Sequence, residues 1–129
     1  MKIAVIIVRT LLGLLFLFAS VAYFFDLVTP PEPEGALREF NEGLAAAGYL
    51  LPLVKTVELL CALAFLSGRF APLAAVVLFP VSLNIFLVHL FLDPAGLPVA
   101  AFVLGGNAFL GFACRAHYRG LWSANTRLS

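Results

Sequence analysis

The sequence predicts an all-α integral membrane protein: a bundle of four transmembrane helices with both termini in the cytoplasm. Three observations predict it: the scarcity of polar residues, four long apolar runs, and a one-sided distribution of lysine and arginine. Of 129 residues, 63% are hydrophobic and 12% charged, whereas a soluble domain needs about 25% charged residues to cover its core. Lipid removes the need for that cover. The net charge of +1 comes without a basic run able to neutralise phosphates, which argues against a nucleic-acid partner.

The apolar runs occupy residues 3–28, 50–66, 70–92 and 97–114 of a single domain, 1–129. At 1.5 Å per residue, crossing about 30 Å of hydrocarbon takes about 20 residues. Spanning strands would alternate apolar and polar residues, and these runs do not.

Helix one follows Lys2 and carries Arg9 toward its cytoplasmic end, where a long side chain can snorkel to the interface. A cleaved signal peptide competes for this run, with Ala19-Ser20-Val21-Ala22 as the cut site. Against it, Arg9 divides the charged start from the apolar stretch. The loop after helix one opens with the stiff Pro30-Pro31-Glu32-Pro33. Leu37, Phe40 and Leu44 then recur at helical spacing among Arg38, Glu39, Asn41 and Glu42. That pattern predicts a short amphipathic helix on the outer surface; an ordered loop packed on the helix ends is the alternative.

Helix two, 50–66, has Pro52 in its first turn, where a missing N–H costs nothing, and ends at Ser67-Gly68-Arg69. Helix three, 70–92, starts with Pro72 and carries Pro80 in its middle, which predicts a kink. The tight turn Asp93-Pro94-Ala95-Gly96 makes helices three and four antiparallel neighbours. Helix four, 97–114, opens at Pro98. Its stripe of Ala100, Asn107, Gly111 and Cys114 suits close helix packing.

Lys2, Arg69, Arg115, Arg119 and Arg127 fall on one side of this four-span arrangement. Arg38 stands alone on the other, beside Glu32, Glu34, Glu39, Glu42 and Asp93. The positive-inside rule therefore puts both termini and the Arg69 turn in the cytoplasm, and Tyr23, Tyr49, Tyr118 and Trp122 mark the interfaces. A faint repeat links Ala47-Gly48-Tyr49-Leu50-Leu51-Pro52 with Ala95-Gly96-Leu97-Pro98. Two fused helical hairpins would explain it, as would shared turn chemistry.

Polar groups inside a membrane are expensive and mark candidate sites. Counted from the outer helix ends, Lys55 lies about 8 Å deep, Glu58 and Asn84 about 12 Å, and His89 about 5 Å, with Asp26 shallower. Lys55 and Glu58 are three apart and share a helix face. Glu58 cannot easily reach either interface, so it is paired with Lys55 or protonated. The pair then either fixes helix register or meets a ligand or proton. Asn84 and His89 stand about 140° apart around a helix, so an unkinked helix three cannot aim both at one point. His89 has no second histidine on its side, and no metal site is expected. Cys61 and Cys114 form no CxxC, and neither a structural disulfide nor thiol exchange is expected. No phosphate loop, dinucleotide fingerprint or haem-binding histidine pair is present, which argues against a self-contained enzyme.

The run from Ala47 through Pro52 to Lys55 and Glu58, the Leu66-Ser67-Gly68-Arg69-Phe70 turn, and the stretch from Asn84 through His89 to Asp93-Pro94 together resemble the DoxX family of small bacterial membrane proteins. Arg9 with Leu12-Gly13-Leu14-Leu15-Phe16 fits that family's first helix. The chain departs from it at Ala22-Tyr23-Phe24-Phe25-Asp26, where relatives often carry a Gly-x-x-Lys-type stretch. The resemblance covers about 110 residues and implies a four-helix protein of the bacterial cytoplasmic membrane. Some relatives are membrane subunits of thiosulfate:quinone oxidoreductase or partners in redox complexes. Three functions follow as expectations: a non-catalytic subunit that binds a quinone in the outer half near Asp26, Lys55, Glu58, Asn84 and His89; a binding or carrier protein for another lipid-like molecule; and, ranked last, a proton-linked transporter using Glu58. The expected partners are the bilayer, a redox protein and a lipophilic small molecule, and a homo-oligomer is compatible with all three.

Overall fold

A computed structural model describes residues 1–28 and 32–124. Pro30, Pro31 and Arg127 lie outside the described residues. The chain forms α1 (Lys2–Phe24), α2 (Gly35–Ala47), α3 (Leu50–Ser67), α4 (Ala71–Phe91) and α5 (Leu97–Ala113). Short 3₁₀ segments follow α4 (Pro94–Gly96) and α5 (Arg115–Trp122). No strand occurs among the described residues. Among the described residues, four helices are long and apolar enough to cross a membrane: α1, α3, α4, and α5 with the 3₁₀ turn before it.

α1 is shorter than the apolar run that predicts it, ending at Phe24 rather than at residue 28. Asp26 adopts a left-handed conformation (φ 54°). The Leu27 amide bonds the Ala22 carbonyl at 3.0 Å and the Asp26 amide bonds Tyr23 at 3.4 Å. This pattern satisfies the last carbonyls and stops the helix although the sequence stays apolar. α3 ends on Gly68, at φ 76°, a conformation glycine adopts without Cβ strain. α4 stays helical through Pro80.

α1 packs antiparallel on α3 and α4 antiparallel on α5, and contacts of α3 with α4 and of α1 with α5 join the two hairpins. Leu12, Phe16, Ala62, Phe65 and Leu78 are completely or almost completely buried. Gly13 lets α1 approach α3 closely, for a Cβ there would meet the Leu66 side chain at 2.8 Å and the Ala62 carbonyl at 3.3 Å. Because lipid is as apolar as leucine, such fit rather than water exclusion holds membrane helices together. The outward surface is apolar too, with Ile3, Phe18, Leu60, Leu73 and Val99 all exposed. α2 buries no residue, carries an exposed Arg38–Glu42 ion pair at 3.0 Å, and packs chiefly against α3.

Candidate functional site

The bundle has two polar ends. Asp26, α2, Lys55 and His89 belong to one, here the α2 end; Arg9, the Ser67–Arg69 turn and the Arg115–Trp122 segment belong to the other, the turn end.

Toward the α2 end, Lys55 and Glu58 sit one turn apart on α3, with Lys55 Nζ 3.1 Å from Glu58 Oε2. The glutamate side chain is 4% exposed and the lysine 22%. The contact is close, yet Glu58 Oε2 is buried and receives no hydrogen bond of acceptable geometry. Coulomb attraction holds the pair while one strong acceptor keeps a lone pair to offer. Ser20 of α1, wholly buried, stands at nearly the same depth by the antiparallel register that Gly13 sets. Its hydroxyl is used within its own helix, donating to the Phe16 carbonyl at 2.6 Å.

The other sequence candidates take different positions. Asp26 is exposed in the turn after α1. His89 is half-buried: its Nδ1 lies 2.8 Å from the Ile85 carbonyl, and its ring covers Gly96 so closely that a Cβ there would overlap it. Asn84 is exposed on the outward face of α4 and makes no side-chain hydrogen bond among the described residues. Lys55 and Glu58 are thus brought together, while Asn84 is turned outward and His89 is tied to its own helix and the following turn.

A second polar cluster joins α4 and α5. Ser82 Oγ donates to Asn107 Oδ1 at 2.7 Å, and Asn107 Nδ2 donates to the Ala75 carbonyl at 2.9 Å, all three residues being buried. Cys61 of α3 places its thiol 3.8 Å from the adjacent Ala74 carbonyl. Sequence reasoning placed Asn107 in a packing stripe but did not pair it with Ser82. The two are 25 residues apart, and only the helix register unites them.

At the turn end the Arg9 guanidinium lies against Gly68, where a Cβ would come within 2.9 Å of Nη1. Arg9 Nε is buried without a hydrogen-bond partner. Tyr118 Oη donates to the Pro72 carbonyl at 2.6 Å. Burial raises the Tyr118 phenol above its ordinary pKa, and Cys114 nearby pushes the same way, so the group stays a donor. Arg115 lies over the Phe112 ring at 4.2 Å and bonds its carbonyl at 3.0 Å. Between α4, α5 and this segment runs a cavity of about 550 Å³, apolar along Val76, Phe79 and Phe112 with Arg115 at its rim. From sequence, Tyr118 and Trp122 mark an interface, and nothing there points to a cavity.

Among known proteins, the family model described as DoxX matches residues 4–90, well over half of the chain. No curated protein and no solved structure matches.

Proposed function

The chain belongs to the DoxX family of small membrane proteins, and from that premise we propose that it is a non-catalytic subunit of a membrane redox complex which holds a lipophilic molecule, such as a quinone, at Lys55 and Glu58. The observation that carries the reading is the buried Glu58 Oε2, which has the Lys55 ammonium beside it but no aligned donor. A carboxylate in low dielectric is a strong acceptor, and a quinol hydroxyl is a fitting donor for it. Lys55, partly exposed, supplies donors suited to a quinone carbonyl. Asp26 and His89 then stand near the entry side rather than on the ligand.

By the positive-inside rule, the α2 end faces outward across a bacterial cytoplasmic membrane, and the Arg69 turn and both termini face the cytoplasm.

A second reading draws on the cavity between α4, α5 and the Arg115–Trp122 segment. Its apolar walls and about 550 Å³ would suit the tail of another lipid-like molecule in a binding or carrier protein. Proton-linked transport through Glu58 ranks last, since four short helices leave little room for alternating access.

The test is mass spectrometry of the lipids and quinones extracted with purified protein, comparing wild type with Glu58→Gln at equal amounts of folded protein. Quinone retention should fall about tenfold in the variant, the equivalent of one charge-assisted hydrogen bond. Equal retention would remove Glu58 from the site. Retention lost instead in a Phe79→Ala variant would move the ligand to the α4–α5 cavity.

A further inference from the structure

We propose that the exposed face of α4 is the contact between two copies of this chain, with Asn84 of each pairing to Asn84 of the other. Asn84 lies seven residues from Phe91 and thirteen from Ala71, about 10 Å and 20 Å from the two ends of a membrane-spanning helix. Its amide is exposed and makes no side-chain hydrogen bond among the described residues. At that depth hydrocarbon offers the amide no partner.

The surroundings of Asn84 fit a helix partner. Leu73, Val77, Pro80, Asn84, Leu87 and Phe91 follow one another at intervals of four, three, four, three and four residues, and all are exposed. That is the spacing of a seam between two helices, and one asparagine within an apolar seam fixes register and partner number. Helices in membranes associate through such interhelical amide bonds.

The occupant follows from the chemistry of the amide. It carries both a donor and an acceptor, so two copies related by a two-fold axis can exchange a reciprocal pair of hydrogen bonds. Two copies inserted with the same topology and related by an axis along the membrane normal bring α4 beside α4 in parallel. The same residue then meets itself at one depth. The contact leaves the Lys55–Glu58 pair untouched, because Glu58 is buried inside the bundle. It is therefore independent of the proposed ligand.

Two measurements on the full chain in membranes test it. With Cys61 and Cys114 replaced by alanine, oxidation should cross-link Val77→Cys and Leu87→Cys into dimers but leave Val76→Cys and Leu83→Cys monomeric. Energy transfer between fluorescent fusions, followed against the protein-to-lipid ratio, should show the dimer weakened about 3- to 30-fold by Asn84→Leu, with Asn84→Gln retaining more of it. A chain that stays monomeric at every ratio, equal dimerisation of Asn84→Leu and wild type, cross-linking without the seam's periodicity, or cross-linking to a different protein would each overturn the proposal.

Discussion

Deleting one charge of the Lys55–Glu58 pair should cost different amounts depending on which charge is left behind. When one partner of a buried ion pair is removed and the survivor cannot escape, the loss is about 3–5 kcal/mol. Glu58 cannot escape: its side chain is 4% exposed and begins eight residues into α3. Lys55 is 22% exposed and only five residues from Leu50, so its long stem can carry the ammonium toward the interface. Lys55→Met should therefore cost the full amount, less whatever protonation of the stranded carboxylate recovers, while Glu58→Gln should cost about 1–2 kcal/mol. The double variant Lys55→Met/Glu58→Gln carries neither charge and should recover part of the larger loss, with a coupling of about 3 kcal/mol. Thermal and SDS-induced unfolding of the four proteins, in one mild detergent, gives the cycle. Glu58→Gln proving the more damaging single change, or losses that simply add, would refute the reasoning. Additive losses would mean that the 3.1 Å contact does not couple the two charges, and a more damaging Glu58→Gln would mean that Lys55 is the one that cannot escape.

Two further changes probe the frame around the site. Asn107→Leu removes both the Ser82 and the Ala75 hydrogen bonds and leaves a buried hydroxyl without its acceptor, so unfolding in detergent should show a loss of about 1–3 kcal/mol. Adding Ser82→Ala should return part of it. Gly96→Ala should cost about 1–3 kcal/mol by driving a methyl group into the His89 ring, and the same change in a His89→Ala background should be nearly silent.

The spans were legible because each apolar run reaches the roughly 17 residues that a spanning helix needs at least, and each begins or ends at proline or glycine chemistry that sequence displays directly. The Lys55–Glu58 pair was legible for a similar reason, since a spacing of three on a helix is local geometry. What the sequence did not display is which way each helix faces. In α4 the outward residues Leu73, Val77 and Leu87 are as apolar as the inward Ala74, Ala75 and Leu78, so hydrophobic contrast cannot tell lipid from core. Asn84 was grouped with Glu58 by depth alone, and depth carries no azimuth. For the same reason nothing in the sequence paired Asn107 with Ser82. The end of α1 at Phe24 was hidden because a left-handed Asp26 stops the helix where apolarity continues into Leu27 and Val28.

Sorting the intramembrane polar groups by partner rather than by depth divides structure from function more sharply. Ser20 bonds the Phe16 carbonyl, Thr56 the Pro52 carbonyl, and His89 lies against the Ile85 carbonyl, each within one helix. Ser82, Asn107 and Ala75 satisfy one another across two. Groups so bonded have a partner inside the protein and stabilise the bundle. Among the described residues the groups without a hydrogen bond include Arg9 Nε, Glu58 Oε2, Asn84 and the Thr10 hydroxyl beside Arg9. Arg9 lies by Gly68 at the turn end, where its guanidinium can reach interfacial water or lipid phosphate. Glu58 and Asn84 have no such recourse. One is buried within the bundle on α3 and the other is exposed on α4, so they call for different occupants: a small molecule with a donor for the first, a helix with a matching amide for the second. With no shared partner, the two sites should behave additively. Asn84→Leu should leave ligand retention unchanged, and Glu58→Gln should leave the dimer intact.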